Sequence, residues 1–342
     1  MLHPRVLLIG GNRGRWTWDE RIHDAPYDNG IEAWVHATQG THVDHASVTL
    51  DDVNSHDVVI CNTNGLFKPK EALRYIRLSE QRRSGVLWVS LLEGDMRDYM
   101  VPSALVSQAF AASDLVISIN RHATDAIQCL TSTPVRCIGI PYPVEGVMSC
   151  VTPIAERLRR VHVCAFLMKR WNDAIVARHL GLPVDGYHVR MHRRLSELRS
   201  NVKRFGTLLD KGAPARQALE MYCDLQLTVH PEARMADYYT SMGRSALWIN
   251  MDERYTWGRY VLDAAALGIP MITTRSTGHG PVLFPESCVE TAFDIGDAVE
   301  RAKCLLNDPE HYERVSRYAQ EQIWQYDAKI VVQALYAQLG VS

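Results

Sequence analysis

The sequence predicts an α/β protein built from two successive doubly wound domains. Three observations carry that expectation. Short apolar runs of strand length alternate with helical segments, the arrangement of a parallel sheet covered on both faces. The alternation breaks once, at the Pro/Gly-rich IPYPVEG (140–146), and then restarts. The 342 residues supply two cores of ordinary size. The expected units are 1–145 and 146–325, with 326–342 a terminal helix packing back on the first.

RVLLIGG (5–11) is an apolar run ending in glycines, a buried strand that feeds a loop. A helix near 30–38, a strand near 46–50 and the apolar strand HDVVICNTNG (56–65) follow. A helix around 69–82 leads to GVLWVSLLEGD (85–95), a buried strand ending in an acidic loop. ALVSQAFAASD is helical, LVISIN (115–120) is a strand, and VRCIGIPYPVE (135–145) adds a strand and the linker. Beyond it, RVHVCAFLM (160–168) is a strand and KRWNDAIVARHLGL a helix that Gly181 and Pro183 stop. YHVRMH is a strand, followed by a basic helix. LQLTVH (225–230) is a strand, and PEARMADYYTSMG a helix with Pro at its start. SALWIN (245–250) is a strand, 256–267 a helix and MITTRS a strand. FDIGDAVERAKCLLND and EHYERVSRYAQEQIWQ are polar helices, and AKIVVQALYAQLG is a final amphipathic one.

Composition narrows the function classes. With 46% apolar residues, 22% charged and a net charge of −2, the chain reads as an ordinary globular protein. No leader pattern opens it, and no apolar run approaches the roughly 18–20 residues of a membrane span. Its 8 cysteines are scattered without a CxxC pair, which suits reduced thiols in a cytoplasm and neither a disulfide frame nor a zinc site. Charge is uneven: residues 1–145 hold 13 Lys/Arg against 17 Asp/Glu, whereas RMHRRLSELRSNVKR (190–204) holds six Lys/Arg against Glu197 alone. That run is either a solvated helix face or a patch for phosphates.

Ligands of open α/β sheets bind outside the carboxyl ends of the strands. The loops there hold Gly10-Gly11-Asn12-Arg13-Gly14, Glu93-Gly94-Asp95, Asn120-Arg121-His122, Lys169-Arg170, Asn250-Met251-Asp252 and Ser276-Thr277-Gly278-His279-Gly280. GGNRG lacks the GxGxxG spacing of a dinucleotide site, so it is a strand-ending turn or a backbone that a ligand approaches closely. There is no P-loop, GxSxG or HExxH.

The most specific stretch is RYTWGRYVLDAAALGIPMITTRSTGHG (254–280). Thr256 can cap a helix that Gly268 ends and Pro270 prevents from continuing. Between them the helix is apolar on nearly every side, except for Asp263. A carboxylate there either pairs with Arg259 at i−4 on a half-exposed helix, or accepts two hydrogen bonds from a ligand diol such as a ribose.

This stretch, with the two domains joined near IPYPVE, resembles the group 1 glycosyltransferases of the GT-B fold, whose two Rossmann-like domains face a central cleft. Their second domain reads Glu-x-Phe-Gly-x-x-x-x-Glu-Ala-x-Ala-x-Gly-x-Pro, then a strand, then a Gly-rich loop. Here Trp257-Gly258 match Phe-Gly, Asp263-Ala264 match the second Glu-Ala, and Gly268-Ile269-Pro270 match Gly-x-Pro. Tyr255 stands where the first Glu would be, and only Lys169 and Arg170 remain of the family's cationic phosphate site. The resemblance implies a transferase that moves a sugar, with retention, from a nucleotide-diphosphate sugar (a UDP-sugar foremost) to an acceptor hydroxyl, with no metal demanded. It places Asn250, Tyr255, Trp257, Gly258, Asp263, Thr277, Gly278, His279 and Gly280 on the donor, Asp263 on its ribose. Lys169 and Arg170 neutralise the leaving diphosphate, and Glu93 or Asp95 orients acceptor or sugar. Gly11, Asn12, Arg13, Asn120 and His122 lie on the acceptor side. The acceptor is a small molecule or glycan, or modified DNA, because the resemblance extends loosely to phage enzymes that glucosylate hydroxymethylated DNA bases. An epimerase of the same fold and a non-catalytic nucleotide-sugar-binding protein are the alternatives.

Overall fold

A computed structural model of the chain describes residues 4–11, 14–21, 30, 32–63, 69–100, 104–163, 171–187, 227–230 and 234–341. Their strands form two sheets. The first contains β1 (Val6–Ile9), β2 (Trp16–Thr17), β3 (Thr41–Val43), β4 (Val58–Asn62), β5 (Leu87–Leu91), β6 (Leu115–Ser118) and β7 (Val135–Cys137). Among the described residues it has seven strands in the order β2-β3-β1-β4-β5-β6-β7. Only β2 runs antiparallel to its neighbour, with Trp16 opposite His42. The second contains β8 (Leu158–Val163), β9 (Val184–Tyr187), β10 (Leu227–His230), β11 (Ser245–Asn250), β12 (Met271–Thr274) and β13 (Cys288–Val289). Its described order is β10-β9-β8-β11-β12-β13, parallel throughout.

Both sheets reverse strand order beside their first strand, between β1 and β4 and between β8 and β11. A ligand crevice opens outside the carboxyl ends at such a switch point. The strands there are apolar because helices cover both faces: Leu7, Leu8, Ile9 and Ile60 in one sheet, and Leu247, Trp248 and Ile249 in the other, are wholly buried. Each such side chain contributes about 1.5–3 kcal/mol of transfer free energy.

Helices start and stop where local chemistry directs. The sequence predicts a strand near 46–50, but Thr49 forms a capping box with Asp52 and begins the helix Leu50–Asn54. The strand of this region is β3, closer to the start of the chain, between β2 and β1. YHVRMH is another shift: the strand is β9, which ends at Tyr187, and 188–192 lie outside the described residues. Asp308 caps Pro309–Gln322 by accepting from the N–H groups of Glu310 and His311, with Pro309 at the first helical position.

The last helix, Ala328–Leu339, lies against Ala33–Thr38 of the first domain. Arg136 Nε donates to Gln338 Oε1 at 3.0 Å. Just before that helix the chain pairs with the linker: Tyr142 N–H donates to Tyr326 O and Ala328 N–H to Tyr142 O, each at 3.1 Å. Tyr142 is thereby held on both sides of its backbone.

Candidate functional site

The carboxyl ends of the two sheets meet. From the first come the loops after β5 and β6, and from the second those after β11 and β12. Tyr255 is clasped by the acidic loop: its N–H donates to Asp95 Oδ1 (3.3 Å) and its carbonyl accepts from Met96 N–H (2.8 Å). The Arg97 guanidinium lies 6.0 Å from the Tyr255 ring centroid, within cation–π range. Asp95 also takes the Arg97 Nη2 at 2.6 Å, so the carboxylate that the sequence offers as catalytic is engaged in holding this seam.

Asn120 is the second clasp. It ends the run after β6, is buried, and caps the helix Arg121–Gln128 by accepting from His122 N–H at 3.0 Å. Its Nδ2 donates across the seam to Thr256 O (3.0 Å) and Ser276 O (2.7 Å). A β-carbon on Gly278 would stand 3.1 Å from that nitrogen, so the loop needs glycine to come so close. Asn120→Asp keeps the cap and loses both donors, setting a carboxylate against two carbonyls. We expect it to cost about 2 kcal/mol and to raise the radius of gyration in small-angle scattering. An unchanged radius with wild-type stability would show that the clasp does not hold the domains.

Glu93, just past β5, is the half-buried carboxylate at this end of the first sheet. Its Oε2 accepts from Asn62 Nδ2 at 2.6 Å, and Asn62 is the buried last residue of β4. Tyr99 Oη accepts from Glu93 N–H (3.1 Å) and donates to Glu93 O (2.8 Å), fixing its backbone. Neither partner is among the residues the sequence singles out. A polar residue ending an otherwise apolar strand, as in HDVVICN, is the one signal that could have found Asn62.

The helix of the most specific stretch spans Arg259–Ala266 and departs from expectation at its start. Thr256 does not cap it. Gly258 occupies the cap in the left-handed region (φ 66°), where a β-carbon would lie 3.0 Å from Thr277 O. Two constraints therefore fix glycine there. The helix is buried, as a segment apolar on nearly every side should be: Tyr260 through Ala266 are buried, and Asp263 has no exposed surface, so a pair with Arg259 on a half-exposed helix is not what is found. Its Oδ1 accepts from Tyr142 Oη at 2.7 Å and Tyr239 Oη at 3.0 Å, and its Oδ2 lies 3.8 Å from Arg259 Nε. Burial raises its pKa, opposed by the Arg259 charge and the two tyrosine hydrogen bonds. The helix ends before Gly268, which is left-handed (φ 65°).

The loop after β12 is buried from Thr277 to Gly280. Thr277 Oγ1 donates to Thr274 O (2.9 Å) and accepts from Gly280 N–H (3.2 Å). His279 packs edge-on against Tyr326, with ring centroids 4.6 Å apart. Burial, reinforced by the Arg121 charge and opposed by the Trp257 backbone, pushes its pKa down to about 3, so it is a neutral imidazole. Trp257 packs edge-on against Tyr142 at 6.4 Å, and Asn250 ends β11 in the interior. Asp252 follows and is paired with Arg254 through two contacts of 2.9 Å, while Met251 N–H donates to Asp173 Oδ1 at 2.5 Å. His122 is exposed at the rim, its pKa lowered by burial and by Arg275 and Arg121. Gly11 follows β1 with φ 51°. Asn12, Arg13, Lys169, Arg170 and the basic run 190–204 lie outside the described residues. Among the described residues no group of three His, Cys, Asp or Glu side chains is placed to hold a metal.

No protein-family model and no curated protein matches the sequence. Solved structures do match its fold over nearly the full length. A sucrose-phosphate synthase from Thermosynechococcus elongatus superposes with a TM-score of 0.65 at 11% identity, covering 98% of this chain and 99% of the other. An alpha-glucosyltransferase in complex with UDP and a 13-mer DNA containing an HMU base gives 0.62 at 12%, covering 98% and 99%. A trehalose 6-phosphate synthase from Burkholderia multivorans gives 0.61 at 8%, covering 99% and 97%. These neighbours are GT-B proteins, and GT-B is the fold of this chain.

Proposed function

We propose that the chain is a glycosyltransferase that moves a sugar from a nucleotide-diphosphate sugar, a UDP-sugar foremost, to an acceptor hydroxyl. One observation carries the reading: the switch-point ends of two Rossmann-like sheets meet in a seam, in a GT-B fold matched end to end by sugar-transferring enzymes. In this reading the donor lies on the second sheet. Lys169, Arg170 and backbone N–H groups near Thr277–Gly280 take up charge growing on the leaving diphosphate. Glu93, aimed by Asn62, orients the reacting sugar or the acceptor hydroxyl. The Asn120 and Tyr255 clasps close the domains over the substrates and exclude water. Retention of configuration follows from the group 1 motif.

The second reading makes modified DNA the acceptor. It rests on the alpha-glucosyltransferase neighbours crystallised with UDP and DNA and on the basic run 190–204. We assign the protein to the cytoplasm: the described cysteines are unbridged, and no described helix is long and apolar enough to cross a membrane.

A panel of nucleotide sugars tests the function. At a donor concentration of roughly 100 Kd, the correct one stabilises the fold by about 2.7 kcal/mol, read as a rise in Tm, and releases its nucleotide once an acceptor is added. Duplex DNA with hydroxymethylated bases forms one acceptor arm, and phosphorylated and free sugars the other. If no nucleotide sugar raises the Tm or is consumed, the transferase reading fails.

A further inference from the structure

A cavity of about 140 Å³ opens beside the seam, lined by Arg275, Pro281, Pro285, Cys288, Val289 and Glu290. It sits at the carboxyl ends of β12 and β13, the end of the sheet at which ligands of this architecture bind. His122, at the start of the helix Arg121–Gln128 of the other domain, lies within electrostatic reach of both Arg275 and Glu290. Within the lining itself Arg275 is the one cation and Glu290 the one carboxylate.

That carboxylate is a weak competitor. Arg275 Nη1 meets Glu290 Oε2 at 3.2 Å, but the side chains are 56% and 70% exposed. An ion pair so wetted is weak and exchanges readily for another anion. The remaining wall adds no negative charge. Two prolines and Val289 form a rigid apolar rim, and burial keeps the Cys288 thiol protonated. The volume accommodates several waters or a small tetrahedral anion. A guanidinium is the side chain best matched to phosphate oxygens.

We propose that this cavity is a subsite for a phosphate oxyanion, held by Arg275. On the glycosyltransferase reading the phosphate belongs to the acceptor, as a phosphorylated sugar or a nucleic-acid backbone. The binding itself does not depend on that reading.

Inorganic phosphate, titrated by calorimetry into the full-length protein, tests the subsite. Arg275→Ala should weaken binding about tenfold, the loss of one charge-assisted contact. Glu290→Gln should strengthen it several-fold, because it removes the competing carboxylate. These opposite signs separate a binding effect from general damage to the fold. Phosphate binding that is absent in the wild type, or equal in the wild type and both variants, overturns the proposal. Competition by glucose 6-phosphate at constant ionic strength identifies a small acceptor as the source. Competition by duplex DNA that fades steeply with salt identifies a nucleic acid. If phosphate binds while no nucleotide sugar does, the subsite stands and the transferase reading fails.

Discussion

Asp263→Ala is expected to destabilise the protein by about 2–4 kcal/mol, and Asp263→Asn by roughly 1 kcal/mol. The reason is geometric. Asp263 has no exposed surface, and its Oδ1 is the acceptor of two buried hydroxyls, Tyr142 and Tyr239. Alanine leaves both in the interior without that acceptor, each at a desolvation cost of about 1–3 kcal/mol. Asparagine retains a carbonyl oxygen and so retains most of the tie. Arg259 adds less, because its side chain is 48% exposed and rehydrates when the carboxylate goes. Urea unfolding of the three proteins measures the order.

The substitution also distinguishes two assignments of one residue. If Asp263 serves a ribose, alanine raises the Kd for a nucleotide while the folded variant keeps near-wild-type stability. If it serves the fold, stability falls first. Tyr142 belongs to the linker and Tyr239 to the helix Met235–Met242, so the carboxylate ties the interdomain crossing to the second domain. Equal stability of Asp263→Ala and the wild type would remove this structural role.

Asp263 also shows how far sequence carries a reading of this chain. Its oddity is visible locally, as a lone charge in an apolar helix. Its resolution is not, because Tyr142 is 121 positions away and no periodicity links the two. The central strands of the two sheets were legible for the opposite reason, unlike β3 and β9. Burial on both faces makes each an apolar run, and the runs recur with helices between them. β2 and β13, at two residues each, are too short to show any pattern. The helix start at Gly258 was hidden differently. Thr256 is a better capping residue by type, but the approach of Thr277 leaves no room for a β-carbon at position 258, and only the folded chain brings those segments together. At the site, Glu93 and Asn120 could be placed at strand ends from the sequence. Asn62 and the second-domain carbonyls that Asn120 holds are fixed by tertiary geometry alone.

Acid should unfold the protein through its buried histidines. His162 and His279 are 1% and 5% exposed, and burial pushes each pKa down to about 3. In the unfolded chain an imidazole takes its proton near pH 6.5. Between those values the unfolded state binds a proton that the folded state refuses, so stability rises with pH there. The contribution is therefore complete above pH 6.5 and is lost progressively as pH falls toward 3. A shift of that size corresponds to about 4–5 kcal/mol per histidine, and two together rival the roughly 5–15 kcal/mol of a whole domain. The two differ in consequence. His162 lies inside the second domain, bonded to Asp185 O at 2.8 Å and packed 4.8 Å from Trp248. His279 lies at the seam with Tyr326, where a proton would add a second positive charge near Arg121. His279→Gln should flatten the fall of unfolding free energy between pH 6.5 and 4 by up to about 1.4 kcal/mol per pH unit. The Tm difference between variant and wild type should therefore move in the variant's favour as pH falls. Urea unfolding across that range reads both slopes. Parallel profiles would mean that His279 binds its proton in the native state as readily as in the unfolded chain, and that the buried neutral imidazole at the seam is wrongly assigned.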